Sequence, residues 1–401
     1  MRLKGKLYED ITLEKAVKLG YVIGRSAGPR NLVVSGRDAF RVSRMLKRAI
    51  TAGVMSAGAD VMDFHESLNG EIAFAIKRFG AKMGFMVSID PSTGGVLLKI
   101  FSSPGYELAG ESLKRIIREA EEEKREARSE IGWVYYAEYV HRLYTSAISS
   151  FVKGDIITSR KISSVVAPDY EPLESILTEL ARGLGVSQII IGDINPPTHP
   201  FTTLMKKIWS VRRALQSDIG VLFSHDGSAL TLCLEGLGFL LPEELLLYVI
   251  QKYGPGSRVL VLNPVFKKTI EYLEKEGYKI TIVDDEEKFH FVNRRERPVI
   301  SMTWRGEYIT PLFSLGFDAI ILYAQVLEAL SDIGLKPLDT VKSIREELHR
   351  ETLSLNNGLE ICREADETTL WGCRILRDNK LITLIYNPEA DGFIKLEGDK
   401  F

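Results

Sequence analysis

Cysteine is scarce in this chain, and the few that occur are not arranged for metal binding. Its 401 residues include three cysteines, with no CxxC pair and no metal-finger spacing among Cys233, Cys362 and Cys373. Secreted disulfide scaffolds and zinc ribbons both need cysteines that are denser or closely paired. We therefore expect a reduced, intracellular protein whose cysteines are structural.

Long apolar segments are also missing. The longest apolar stretch, residues 236–250, is interrupted by Pro242, Glu243 and Glu244, and it is too short to span a bilayer. The first 20 residues have no apolar core of the kind that a secretory signal requires. These two absences predict a cytoplasmic protein with no membrane partner.

Neither sign of charge is in excess. Lysine and arginine number 52, aspartate and glutamate number 54, and the net charge is −2. A nucleic-acid-binding protein normally carries a basic surplus on one face, so a nucleic-acid partner is not expected. The length allows two to four domains and a large buried core.

The segment between Leu32 and Ser88 alternates between short apolar runs and amphipathic stretches. This alternation predicts strands at 32–35, 60–64 and 84–88. The helix between the first two strands would bury Met45, Leu46, Ala49, Ile50 and Val54, and the helix before the third strand would span 71–79. Such an order builds a parallel α/β sheet. A charged helix is predicted over 111–128, followed by an aromatic-rich helix through Tyr136, Tyr139 and Tyr144.

Two further blocks repeat this plan, and a different pattern follows Pro337. Strands are predicted at 162–167, 188–191 and 219–223, and again at 259–262, 279–283 and 299–302. The last block has one helix, over 338–348, and then two strands at 368–376 and 381–386. The predicted fold class is therefore α/β, with three consecutive α/β domains at 1–155, 156–252 and 253–335 and a small C-terminal α+β domain at 336–401.

The order and spacing of these elements resemble the α-D-phosphohexomutases, the phosphoglucomutase/phosphomannomutase family, over nearly the whole chain. Those enzymes carry a T-A-S-H-N-P loop after the third strand, and its serine holds the transferred phosphate. Here the serine position falls on Asp90, in the segment Ser88-Ile-Asp-Pro-Ser-Thr93. Aspartate cannot form the serine ester, although aspartyl phosphates occur in other enzyme classes. Ser88 and Ser92 are possible substitutes, or ordinary loop residues.

The resemblance also identifies a metal loop and a sugar loop. The family's D-G-D-x-D-R matches Asp226-Gly-Ser-Ala-Leu-Thr231, so Asp226 is the one acidic ligand retained, too few for tight magnesium binding. The family's G-E-x-S-G-H matches 302–307, where Trp304, Arg305 and Glu307 are candidate ligand contacts or parts of an ordinary packed loop. Lys99 matches a family lysine and is either a substrate contact or a solvated side chain.

The resemblance implies two more anion-binding elements, and both are altered. The family's phosphate loop R-P-S-G-T-E-P matches residues 386–392, where Glu389 and Asp391 would repel an anion. The N-terminal F-G-T-x-G-x-R-G motif is absent. Arg37 and Asp38 remain, and Arg37 is a candidate anion contact or a structural arginine.

Altered loops on a retained framework predict a catalytically inactive homologue with a binding, regulatory or scaffolding role. The alternative is an active phosphoglucomutase/phosphomannomutase-like intramolecular phosphotransferase whose site is rebuilt around Asp90, Asp226 and Glu307. No cofactor is expected for the first hypothesis, and magnesium is implied only by the second. The corresponding partners are an unidentified protein or small ligand for the first and a sugar phosphate for the second.

Overall fold

The computed structural model describes residues 3–89, 94–122, 130–137, 139–169, 171–192, 201–334, 338–365, 369–377 and 379–401. Their fold class is α/β, as the sequence predicts, with four sheets formed by successive parts of the chain. We call these parts the first, second, third and C-terminal units. The domain limits proposed from the sequence remain predictions.

The first unit is a mixed sheet with strand order β1-β5-β4-β2-β3-β7, and β6 pairs with β5. Strands β4, β2, β3 and β7 are parallel, whereas β5 is antiparallel to β4 and β1. Its elements are β1 (Leu3–Gly5), α1 (Leu13–Ala27), β2 (Leu32–Arg37), α2 (Arg41–Ser56), β3 (Asp60–Glu66), α3 (Asn69–Phe79), β4 (Met83–Ile89), β5 (Val96–Ser102), β6 (Tyr106–Glu107), α4 (Gly110–Glu121) and β7 (Val134–Tyr136).

Helices α1 and α2 pack with their backbones in contact. A Cβ atom at Gly20 would lie 2.0 Å from the Ile50 carbonyl oxygen, and one at Gly53 would lie 2.1 Å from the Val17 carbonyl oxygen. Only glycine leaves room for so close an approach, so these two residues set the distance between the helices.

The second unit has strand order β12-β11-β10-β8-β9, with β10-β8-β9 parallel and β11 antiparallel to β10. Two helices precede its sheet. Its elements are α5 (Val140–Phe151), α6 (Gly154–Arg160), β8 (Ser163–Asp169), α7 (Leu173–Leu184), β9 (Ser187–Gly192), α8 (Phe201–Leu215), β10 (Ile219–Phe223), β11 (Leu230–Leu234), β12 (Gly238–Phe239) and α9 (Pro242–Ile250).

The third unit has strand order β14-β13-β15-β16, the first three strands being parallel. Its last helix, α12, is buried from residue 319 to residue 330, and it packs in one apolar cluster with residues of α5, α7 and α9. Its elements are β13 (Arg258–Leu262), α10 (Lys267–Lys275), β14 (Lys279–Val283), α11 (Glu286–Glu296), β15 (Ile300–Thr303), β16 (Tyr308–Ile309) and α12 (Ala319–Ile333).

The C-terminal unit is an antiparallel sheet with strand order β17-β20-β19-β18, as expected for a different fold from the preceding three units. Its elements are α13 (Leu338–Glu347), β17 (His349–Ser354), α14 (Leu355–Arg363), β18 (Gly372–Arg377), β19 (Lys380–Asn387) and β20 (Gly392–Asp399).

Three expectations from the sequence are wrong. In the described part of the chain, the last block has two helices and four strands rather than one helix and two strands, because residues 349–354 and 392–399 pair with each other and complete the sheet. Cys362 and Cys373 form a disulfide bond between α14 and β18, and Cys233 is a buried free thiol. Spacing did not reveal this pair because α14 and β18 meet only when the C-terminal unit folds. Tyr136 lies on β7 rather than on a helix, because residues 134–136 pair with β3 at the sheet edge. Within the described ranges, no helix is long and apolar enough to cross a membrane.

Candidate active-site cleft

Three described loops follow strands at corresponding ends of the three α/β sheets. They are the segment after β2, which contains Asp38, residues 224–229 after β10, and residues 304–307 after β15. Ligands of α/β proteins commonly bind beyond the carboxyl ends of parallel strands. These loops therefore define the candidate cleft.

The loop after β10 is held by helix N-termini of the other two units. The Asn69 N–H at the start of α3 donates to the Asp226 carbonyl oxygen at 2.8 Å, and the Ala319 N–H of α12 donates to the Gly227 carbonyl oxygen at 2.8 Å. The Leu230 N–H donates to the Gly306 carbonyl oxygen at 3.2 Å. The predicted metal loop and sugar loop are thus brought together.

The Asp226 carboxylate is bound by an ammonium group and two hydroxyls. Lys99 Nζ, fully buried on β5, lies 2.6 Å from Asp226 Oδ2, and the hydroxyls of Ser224 and Ser228 donate to Oδ1 at 2.8 and 2.7 Å. Glu107 Oε2 lies 4.0 Å from the same Lys99 Nζ. Burial favours a higher pKa for Asp226, but Lys99 and the two hydroxyls outweigh it and hold the pKa well below its usual range. Lys99 is therefore not a solvated lysine.

The donor set around Asp226 does not fit magnesium. Both serine hydroxyls direct their hydrogens at the carboxylate, and the Lys99 ammonium already occupies Oδ2 and would repel a cation. Magnesium needs near-octahedral oxygen coordination, usually with more than one carboxylate or phosphate. Among the described residues, no cluster of three or more acidic, histidine or cysteine side chains could hold a metal ion.

The segment that matches the phosphoserine loop, residues 90–93 with Asp90 and Ser92, lies outside the described residues. Its first flank is anchored by Asp38, whose carboxylate accepts the Ile89 N–H at 2.6 Å and the Phe40 N–H at 3.0 Å. Burial raises the pKa of Asp38 to about 6. Arg37 is buried, and its Nη1 donates to the Asp38 carbonyl oxygen and to Glu66 Oε1 at 2.8 Å. These contacts favour the structural interpretation of Arg37 over the anion contact.

The polar side chains of the predicted sugar loop bind one another. The Thr303 hydroxyl donates to Glu307 Oε2 at 3.1 Å, and Arg305 Nη1 lies 2.7 Å from Glu286 Oε1 and 3.8 Å from Glu307 Oε2. The Arg305 guanidinium also lies 4.9 Å from the centre of the Trp304 ring. A sugar would have to compete with these internal contacts.

The predicted repulsion from Asp391 is compensated in the structure. Asp391 accepts hydrogen bonds from the Tyr386 hydroxyl at 2.7 Å and from Lys206 Nζ of α8 at 2.9 Å, and these contacts lower its pKa. Of the two carboxylates expected to repel an anion at this loop, only Glu389 is left without such compensation in the described contacts.

Sequence reasoning missed a buried polar network beside the cleft. Asp318 caps α12 by accepting the N–H groups of Ile320 and Ile321 at 3.1 Å, and the Tyr144 hydroxyl donates to the same Oδ1 at 2.6 Å. An aspartate directly before an apolar helix is an N-cap signature that could have identified it. Nearby, His141 Nδ1 lies 2.6 Å from Glu71 Oε1.

Burial raises the pKa of Asp318 from 3.8 to about 6, against the opposing effect of its hydrogen-bond donors. The folded state therefore holds this proton more tightly than the unfolded state, and the resulting stability is lost as the pH rises through about 6. Between about pH 4.5 and 7 the free energy of unfolding should fall by about 2 kcal/mol from this residue alone. Urea titrations should show this pH slope reduced in Asp318→Asn and unchanged in Asp339→Asn, an exposed control. An equal slope in all three proteins would contradict the prediction.

Comparison with known proteins supports the framework. Residues 3–127 match the family model described as phosphoglucomutase/phosphomannomutase, alpha/beta/alpha domain I. A probable phosphoglucosamine mutase of Pyrococcus abyssi is 27% identical over 349 residues, covering 82% of this chain and 74% of that protein. A phosphoglucomutase/phosphomannomutase of Thermococcus kodakarensis is 28% identical over 241 residues, covering 57% of this chain and 52% of that protein.

Two solved structures have the same fold over nearly the whole chain. A putative phosphomannomutase from Thermus thermophilus matches with a TM-score of 0.76, covering 99% of this chain and 93% of that one. A phosphoglucomutase/phosphomannomutase family protein from Burkholderia thailandensis matches with a TM-score of 0.75, covering 100% and 92%. Both are 17% identical to this chain, so they establish the fold alone. The domain I match, the mutase relatives and the shared fold make this chain similar to the α-D-phosphohexomutases over nearly its whole length.

Proposed function

We propose that the protein acts on hexose phosphates as an intramolecular phosphotransferase, with Lys99 in place of a divalent cation. Relatives named as mutases match over about four fifths of the chain, which supports the active alternative better than the inactive homologue. The observation that carries the metal-independent form of this function is the 2.6 Å contact between buried Lys99 and Asp226.

Lys99 and Asp90 have distinct roles in this proposal. Phosphoryl transfer depends mostly on positioning and on neutralising charge, and the fixed ammonium of Lys99 contributes to neutralising charge. Lys99 lies on β5 opposite Met86 of β4, so it stands beside the strands that flank residues 90–93. Asp90 is our hypothesis for the phosphoryl carrier. One of its oxygens would bond to phosphorus while the sugar oxygen leaves with the electron pair and takes a proton.

A second candidate is a protein that binds hexose phosphates without converting them. The contacts among Thr303, Arg305, Glu307 and Glu286 favour it, because the side chains expected to bind sugar hydroxyls are engaged with one another. Binding would then serve regulation or recognition rather than turnover.

An assay in the presence and absence of chelator tests the first proposal. Purified protein is supplied with glucose 1-phosphate, mannose 1-phosphate or glucosamine 1-phosphate and a hexose 1,6-bisphosphate, with either magnesium or EDTA. We expect turnover of about 1 s⁻¹ or more, changed less than about twofold by EDTA, because Lys99 needs no metal. Asp90→Ala should abolish this turnover, and Asp339→Asn should retain it.

The contrary outcomes separate the two candidates. Turnover that requires magnesium, with micromolar magnesium binding lost in Asp226→Ala, would overturn the assignment to Lys99. No turnover but saturable binding of a hexose phosphate by calorimetry would favour the second candidate. Neither turnover nor binding would overturn both.

A further inference from the structure

One edge of the first sheet carries a run of exposed apolar side chains. Strand β7 ends the sheet order β1-β5-β4-β2-β3-β7, so among the described strands it is paired on one side only, with β3. Single exposed apolar residues are common, whereas a group of them typically marks an interaction surface. Five large side chains on or beside β7 expose between 49% and 74% of their surface, and we call them the edge patch: Ile131, Trp133, Tyr135, Tyr136 and Tyr139.

The edge patch lacks the features that normally keep sheet edges apart. Residues 131–137 read IGWVYYA, with no proline and no charged residue. Edge strands in natural proteins usually carry a lysine, a proline or a bulge, because an unpaired strand edge binds another strand. The His65 ring stacks on the Tyr136 ring, with centroids 5.2 Å apart and planes 6° apart, and this contact orients Tyr136. The edge is therefore an ordered surface that is open to a further strand.

The backbone of β7 directs the hydrogen-bonding groups of two residues away from the sheet. The Trp133 carbonyl oxygen accepts a hydrogen bond from β3 at 2.7 Å, and the Ala137 N–H donates one to β3 at 3.0 Å. Successive residues of a strand direct their backbone groups to opposite sides, so every second residue from Trp133 to Ala137 faces β3. The N–H and C=O groups of Val134 and Tyr136 therefore point outwards.

These outward groups fit a second copy of the same strand. Two β7 strands related by a two-fold axis at Tyr135 run antiparallel and place Val134 of one copy opposite Tyr136 of the other. Because both residues face outwards, each such pair exchanges two hydrogen bonds, and the two-fold axis repeats the exchange. A β-branched residue opposite an aromatic one is also a favourable cross-strand pair. With no charge in residues 131–137, the two copies meet there without repulsion.

The area of the edge patch is sufficient for a dimer. An aromatic side chain buries about 150–250 Å² when it is fully covered, so the exposed parts of these five side chains amount to about 600 Å². A specific interface buries about 600–1,000 Å² of each partner, with a polar rim around an apolar centre. Arg30 and Glu130 supply a polar border beside Ile131, as an exposed ion pair with Nη2 3.1 Å from Oε1.

We propose that the protein is a homodimer in which the β7 strands of two copies pair antiparallel about Tyr135. The pairing joins the sheets of the two first units into one continuous sheet. A contact that uses the same surface on both copies closes on itself, so the assembly stops at two chains. The proposal does not depend on the activity proposed for the cleft, because no residue of the edge patch is a candidate site residue.

Sedimentation velocity of the full chain, from about 1 to 100 µM, tests the proposal. We expect twice the mass of one chain at the upper end of this range. Tyr135→Lys should raise the dissociation constant about tenfold or more, since it places two like charges opposite each other. Tyr8→Lys is the matched control and should leave the constant within about twofold. Tyr8 is 66% exposed and follows β1, at the opposite edge of the same sheet.

Val134→Pro tests whether the backbone makes the contact. Proline lacks the outward N–H but leaves the hydrogen bonds between β7 and β3 in place, so each chain should keep its circular dichroism spectrum and its urea midpoint. The dimer should weaken about tenfold or more, because the hydrogen bond is lost twice across the two-fold axis. An interface made by side chains alone does not predict this loss.

Tyr135→Cys reports the register directly. Residues that face each other without exchanging hydrogen bonds in an antiparallel pair have Cα atoms about 4.5 Å apart, a separation that a disulfide can span. Mild oxidation with diamide should therefore convert Tyr135→Cys into a covalent dimer that a reductant reverses. Tyr8→Cys and the wild type should remain single chains on a denaturing gel after the same treatment.

The contrary outcomes are specific. A protein that is monomeric throughout the concentration range would overturn the proposal, and so would a dimer that neither Tyr135→Lys nor Val134→Pro weakens. A dimer that persists while Tyr135→Cys fails to cross-link would overturn the antiparallel register. Circular dichroism and urea unfolding check that each variant is folded, and the mass of the wild type is decisive where a variant is not.

Discussion

Lys99→Met should lower the free energy of unfolding by about 3–5 kcal/mol at pH 7, the largest effect that we expect from a single substitution. The substitution removes the ammonium 2.6 Å from Asp226 Oδ2 and leaves a buried carboxylate with only hydroxyl and backbone donors. Urea unfolding, followed by fluorescence and circular dichroism, measures the change. Lys82→Met, at an exposed position directly before β4, is the matched control and should change stability by less than about 0.5 kcal/mol.

Two further measurements show whether the charge is the cause. Lys99→Met/Asp226→Asn should recover most of the loss, because removing both charges of a buried pair costs far less than removing one. The pKa of Asp226 is held low in the wild type, so this pair contributes stability above pH 3.8 that is lost as the pH falls. The deficit of Lys99→Met should therefore shrink at acidic pH. A deficit equal in the single and double variants would contradict this account.

Reduction of the Cys362–Cys373 disulfide should cost about 3 kcal/mol of the stability of the C-terminal unit, from the loop-closure entropy of a short loop. The two cysteines are 11 positions apart and join α14 to β18. Urea midpoints with and without a phosphine reductant measure the effect. Cys362→Ser/Cys373→Ser should be insensitive to the reductant, and Cys233→Ser should keep the wild-type response.

A thiol count gives an independent check of the disulfide. Unfolded, unreduced protein should contain one reactive thiol, that of Cys233, and reduced protein should contain three. Three thiols without reductant would contradict the disulfide and restore the expectation from the sequence.

Much of the framework could be predicted because its signals are local. The predicted strands at 219–223 and 279–283 have the observed limits, and α3 differs from the predicted helix at 71–79 by two residues or fewer at each end. Apolar periodicity reports which face of a helix or strand is buried, and this information is contained within each segment. The prediction of a helix at Tyr136 was wrong because β7 has only three residues, too few for periodicity to distinguish a strand from the start of a helix.

The candidate site was predicted less completely than the fold. Motif spacing identified Asp226, Arg305 and Glu307, and the structure places their loops together. It could not show that Lys99 is buried against Asp226, since the two are 127 positions apart and on different units. Nor could it show that Lys206 of α8 neutralises Asp391.

The α/β class, the order of the elements and the change of pattern after Pro337 follow from residue order alone, because helix and strand periodicities are short-range properties. Which cysteines meet each other depends on packing within the C-terminal unit, where α14 approaches β18. Which carboxylate meets an ammonium depends on packing between units, as for Lys99 and Asp226. Electrostatic energies vary steeply with distance and with burial, so these outcomes were decided only by the tertiary structure.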